Sequence, residues 1–104
     1  MDTKTFDSII EAMIQKSKNT LIDKAKEYAT EDRLHNFRVA AVFQQCTVEQ
    51  ALFGFLTKHL VSLSDMCKSG KKYHDEVWDE KIGDSINYLL LLRAVVAEKM
   101  QVIS

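Results

Sequence analysis

The chain contains no proline and only three glycines in 104 residues. Proline and glycine supply most tight turns, so a chain nearly without them has little means of building a turn-rich β fold. Long helices with few reversals are what it can form. The apolar pattern agrees. Phe6, Ile9, Ile10, Met13 and Ile14 follow the spacing of one helical face. Lys18, Asn19 and Thr20 interrupt it before Leu21, Ala25 and Tyr28. Thr20 and Asp23 form a weak cap-like pair there. The segment is either one long helix or two joined at that point.

A second helix is predicted in ATEDRLHNFRVAAVFQQ. Thr30 is its natural N-cap, Glu31 and Asp32 occupy its first turn, and Leu34, Phe37 and Ala41 share a face. It should end before Thr47, which fits with Gln50 the capping box that opens a third helix. That helix places Leu52, Leu56, His59, Leu60, Leu63 and Cys67 on one stripe, and Gly70 closes it in a left-handed position. The last helix is expected from near Asp75 to about Met100. The predicted architecture is all-α, a bundle of four or five helices forming one domain over residues 1–104. Gly54 and Gly83 fall inside helices, where each costs about 1 kcal/mol relative to alanine. Close approach of a neighbouring helix is the expected compensation.

Hydrophobic residues make up 46% of the chain and charged residues 28%, with a formal net charge of -1. This near balance gives no electrostatic footprint for nucleic acid. MDTKTFDSII is too polar and acidic to read as a signal peptide. The most apolar run, Ile86 to Leu92, is far shorter than the roughly 20 residues a spanning helix needs. Cys46 and Cys67 match no zinc spacing and read as reduced, inert thiols. A cytoplasmic protein without membrane association is expected.

The last helix raises the functional question. In WDEKIGDSINYLLLLRAVVA, Glu80, Asp84 and Asn87 lie within about 60° of one another, and the same line continues through Leu91 and Ala94. Trp78, Ile82, Ser85, Leu89 and Val96 line the other side. A helix apolar nearly all round at its centre is expected to be covered on both sides, within the bundle or by a second subunit. Self-association through this helix follows.

The two acids have two readings. They are dipole-friendly carboxylates in the first turns of a helix, or a pair that holds Mg²⁺ against phosphate oxygens. Spacing alone favours the first. If they turn inward, something positive must neutralise them. Lys58 from the third helix, Arg33 from the second, or Mg²⁺ could serve. His59, inside an apolar stripe, reads as a core or interface histidine. KSGKK at residues 68–72 lacks the spacing of a phosphate loop and suits a helix C-terminus.

EKIGDSINYLLLL resembles the second acidic motif of the MazG-like, all-α nucleoside triphosphate pyrophosphatases. EYATEDRLHNFRVAA, VEQALFGFLTKHLVSLSDM and WDEKIGDSINYLLLL together are similar to small helical proteins of phages and prophages related to nucleotide-modification-associated domains. The resemblance covers about residues 24–96. It implies four helices, dimers or tetramers, and Mg²⁺ held by acids from two helices. Asp84 matches the family's last acid. Lys81 stands where its partner acid would be, with Glu80 displaced by one position. In KHLVSLSD, His59 and Ser62 stand where the first acidic pair would fall, and Asp65 is the acid nearby. The phage-type resemblance includes Arg33, Asn36 and Phe37, which suggests a binding face.

Two functions are therefore expected. One is a degenerate MazG-like protein that hydrolyses a nucleoside triphosphate with Mg²⁺ on Glu80 and Asp84, with Arg33, Asn36, Lys58 and Asn87 on the nucleotide. The other is a non-enzymatic interaction module, such as a phage factor that binds and inhibits a host protein.

Overall fold

The computed structural model describes residues 1–23 and 32–103, of which 102 and 103 through the backbone alone. Among them are four α-helices and no strand: α1 (Thr3–Lys18), α2 (His35–Gln44), α3 (Val48–Ser69) and α4 (Asp75–Ile103). A π-helical segment, Asn19–Asp23, follows α1 directly. The all-α expectation holds. The chain divides into two compact units, Met1–Thr30 and Glu31–Ser104.

In the first unit, Asp2 caps α1 by accepting the Thr5 N–H at 2.7 Å. Thr5, through its hydroxyl first and its backbone N–H second, holds the Asp2 carboxyl below its ordinary range. Phe6, Ile9, Ile10 and Ile14 form the expected stripe, and every one of them is exposed. The polar interruption at Asn19 widens the helix into the π-helical segment. The continuation through Ala25 and Tyr28, and the cap at Thr30 with Glu31, lie outside the described residues.

In the second unit, α2 begins later than its sequence suggests. Asp32 was expected inside the first helical turn; it instead precedes the helix. Its carboxylate accepts the Leu34 N–H at 3.0 Å and the Arg38 Nε at 2.6 Å. A side chain that captures the backbone two residues on favours a turn over a helix. At the other end α2 stops at Gln45, which has left-handed backbone angles (φ 53°, ψ 49°) and gives its N–H to Ala41 and Val42.

The α3 boundaries match the reading from sequence. Thr47 Oγ1 accepts the Gln50 N–H at 3.2 Å, and Gln50 Oε1 accepts the Thr47 N–H at 3.0 Å. Gly70 ends the helix with φ 68°. The segment Lys71–His74 leads into α4, whose first turn carries Asp75 and Glu76 at the positive end of the helix dipole.

The core of this unit is small. Leu34, Leu52 and Val95 form it, one from each side of a triangle of segments, with Phe37, Val48, Tyr88, Leu91 and Leu92 packed around them. Leu52 and Leu56 are fully buried. Two polar clamps frame this core. Arg38 bonds Asp32 and reaches Glu98 at 2.6 Å, tying α2 to α4. Lys99 meets Glu49 at 2.9 Å, tying α4 to α3. The expected close helix approach at Gly54 does not occur. Gly54 is exposed, and a methyl built there meets nothing within 4 Å. Gly83 is half-buried.

Candidate functional site

The polar face singled out by sequence lies where α3 meets α4. Asp84 turns toward α3, and its Oδ2 stands 3.8 Å from His59 Nδ1, both side chains being partly exposed. One turn on, the Tyr88 ring centre is 5.0 Å from that of His59. Tyr88 also stacks on Phe55, at 6.5 Å and 11°, and meets Phe37 edge-on at 6.2 Å. Phe37 and Phe55 meet edge-on at 5.9 Å. Three rings, one from each of α2, α3 and α4, thus cluster beside the His59–Asp84 contact. Such ring pairs add to stability beyond their buried area and fix the helices' register.

Asp84 therefore faces α3 with its side chain 43% exposed, and the expected pair of inward, buried acids is not formed. Glu80, one turn earlier on the same line of α4, is exposed. The neighbour of Asp84 is also not one of those anticipated. His59 stands there, whereas Lys58 points to solvent. His59 is the residue on the α4-facing stripe of α3, and Lys58, about 100° round the helix, is not. Counting positions from Leu56 and Leu63 is enough to find this.

Arg33 and Asn36 are both exposed at the start of α2. Leu34 between them packs in the core with Val95, and Val95 is eleven residues, roughly 16 Å of helix rise, from Asp84. The second helix thus carries them to a different level from the His59–Asp84 contact. Asn87 is half-buried, and its Oδ1 is buried without a hydrogen-bond partner. A buried carbonyl oxygen of this kind costs free energy until a donor reaches it.

The donor set bears on Mg²⁺. Among the described residues no three His, Cys, Asp or Glu side chains converge. Glu80 and Asp84 offer two carboxylates from one helix, one exposed and the other facing His59. Magnesium demands near-octahedral oxygen ligands, so phosphate and water would have to supply most of the shell. The residues present do not fit a site built from acids of two helices.

A feature that sequence reasoning missed lies at the far end of α2. Val42 is 77% exposed and Phe43 83% exposed. Val42 lines an open groove between the end of α2 and the start of α3, together with Ala41, Gln45, Cys46 and Val48; Phe43 stands outside the groove. The helical pattern gave Phe37 and Ala41 as the buried face, and the positions of Val42 and Phe43 on the opposite face were legible from the same count. What it lacked was a reason for two large apolar side chains to be there.

Among the described residues no helix is long and apolar enough to cross a membrane. Compared with known protein families, curated proteins and solved structures, the chain matches none. Fold and site together define an all-α helical protein with a small core and large uncovered apolar faces.

Proposed function

We propose that this protein is a non-enzymatic interaction module of the cytoplasm, which binds a partner protein through the outer face of α2. The exposure of Val42 and Phe43 supports this reading. Large exposed apolar residues beside a groove are what binding hot spots are made of, and aromatic anchors dominate them. A partner protein with its own apolar knob would fill the groove and cover Phe43.

The test pairs a binding assay with an enzymatic one. The wild-type chain and a Val42→Asp/Phe43→Asp variant are used as bait, and retained proteins are identified by mass spectrometry. A partner held by the wild type and lost by the variant, with circular dichroism unchanged, is the expected result. Nucleoside triphosphates with Mg²⁺ should release no pyrophosphate. Release that Asp84→Asn abolishes would overturn the proposal.

That outcome belongs to a second reading, a degenerate MazG-like pyrophosphatase of phage type. The turn of Asp84 toward α3 and the unpartnered Asn87 oxygen favour it. There Glu80 and Asp84 would hold Mg²⁺, with Lys58 and Asn87 nearest a nucleotide, while Arg33 and Asn36 stand at another level.

A further inference from the structure

In the first unit, α1 has a charge pattern as uneven as its apolar one. Over Thr3–Gln15 its charged side chains are Lys4, Asp7 and Glu11. At about 100° per residue, all three fall within roughly 60° of the helix circumference. The remaining sector, about 300° wide, holds no charge along this stretch. Phe6, Ile9, Ile10 and Ile14 occupy one part of it and are exposed. Thr5, Ser8 and Ala12, small and also exposed, occupy the other part. Ala12 stands about 160° round from Ile10, so the two look to nearly opposite sides.

Water is a poor environment for such a helix. The 16 residues of α1 include three isoleucines and two threonines. β-Branched residues lower helix propensity, and a free helix of about 15 residues is marginal in water. What stabilises a helix of this kind is burial of its apolar face.

We infer that α1 is a ligand helix, enclosed by an apolar cleft of a partner protein whose walls carry no charge. The cleft covers both the Ile10 side and the Ala12 side and leaves the Lys4–Asp7–Glu11 edge in water. Charge distribution separates this occupant from the others. A helix lying on lipid buries one face and carries a broad polar face rich in lysine and arginine. On α1 the charged edge is narrow, and two of its three members are acids. One helix of a second copy would cover a single seam and leave the Thr5–Ser8–Ala12 side in water. A groove that takes in a helix uses anchors at the spacing of Phe6, Ile9, Ile10 and Met13, and the centre of such an interface is depleted of charge.

This inference rests on α1 and not on Val42 or Phe43. The test places photoreactive benzoylphenylalanine in the full chain, in the cells that express it, at Ile10, Glu11 or Ala12 in turn. One and the same partner protein should be joined from positions 10 and 12 and not from position 11. Against that partner, once purified, Ala12→Glu should weaken binding about tenfold or more, because it forces an unpaired charge into the cleft. Glu11→Gln should weaken it by less than about threefold. Glutamate is a good helix former, so circular dichroism of Ala12→Glu should match the wild type; if it does not, the cross-links alone decide. A partner joined from position 10 alone would mean a one-sided contact and overturns the enclosure. Adducts made only of this chain, at 11.9 kDa or twice that mass, overturn it in favour of an internal contact or a second copy. Flotation on phosphatidylcholine vesicles without a protein adduct overturns it in favour of lipid, and no adduct at all overturns it outright. The failures are separable. An enclosed α1 in a chain that loses no partner on Val42→Asp/Phe43→Asp sinks the proposed function alone. A Phe43-dependent partner with no adduct from positions 10 and 12 sinks this inference alone.

Discussion

Leu52→Ala is the substitution that tests the core most sharply. Leu52 is 0% exposed and sits between Leu34 of α2 and Val95 of α4. Truncation removes three buried carbons and leaves a cavity walled by side chains of three separate segments. Poorly collapsible sites lie at the high end of the Leu→Ala range, so a loss of about 3–5 kcal/mol is expected. A chain of this length has a total stability of about 5–15 kcal/mol, so the loss is a large share of it. Urea unfolding followed by circular dichroism should show the midpoint falling with an unchanged slope. Leu89→Ala, with Leu89 52% exposed, provides the contrast. Measured at dilutions where the chain is monomeric, it should cost less than about 1 kcal/mol. A Leu52→Ala loss below about 1.5 kcal/mol would refute this account, because the three helices would then not share a single tightly packed centre.

Three further outcomes are expected. Gly54→Ala should stabilise by about 0.5–1 kcal/mol, since the added methyl meets open space and the helix gains propensity; a lower melting temperature would mean that a neighbour does come close. Acid should unfold the chain partly through Asp32 and Glu98, whose carboxyls the Arg38 guanidinium holds below their ordinary values of 3.8 and 4.5. Their depressed folded pKa values mean that this contribution is present above the ordinary range and is lost as pH falls through the folded values. Arg38→Met should therefore flatten the acid limb of a stability–pH curve, and an unaltered limb would show that the clamp carries none of it. Millimolar Mg²⁺ should leave the melting temperature of both wild type and Asp84→Asn unchanged. A rise in the wild type that Asp84→Asn abolishes would favour the pyrophosphatase reading by mass action.

How much could be read in advance differs from element to element. The α3 boundaries rest on Thr47, Gln50 and Gly70, whose effects are local, so the sequence displays them. The start of α2 rests on Asp32, which bonds Arg38 six residues away while Arg38 bonds Glu98 sixty residues away. A tertiary clamp of that span leaves no periodic trace, and local cap rules misplace the helix start. That Asp84 stands beside α3 was legible because Leu91, packed against the core, continues its line. Its neighbour was legible in the same way, because His59 shares the stripe of Leu56 and Leu63 whereas Lys58 lies about 100° round the helix. Gly54 shows the limit of inference from cost. A glycine inside a helix argues for a close neighbour only when the structure supplies one, and here it supplies none.

The corner at Gln45 has a consequence for how this protein can vary. A residue with a side chain seldom holds φ near 53°, and those that do so at least cost are glycine, asparagine and aspartate. One torsion at this corner sets the angle between α2 and α3, and so the bearing of Val42 and Phe43, three and two residues before it. Position 45 thus acts as an alignment point. Glycine there should loosen the bearing of those two side chains without moving the core, and valine should swing them away while leaving every residue of the binding face in place. Recognition could be lost through a backbone angle rather than through the contact surface of Val42 and Phe43.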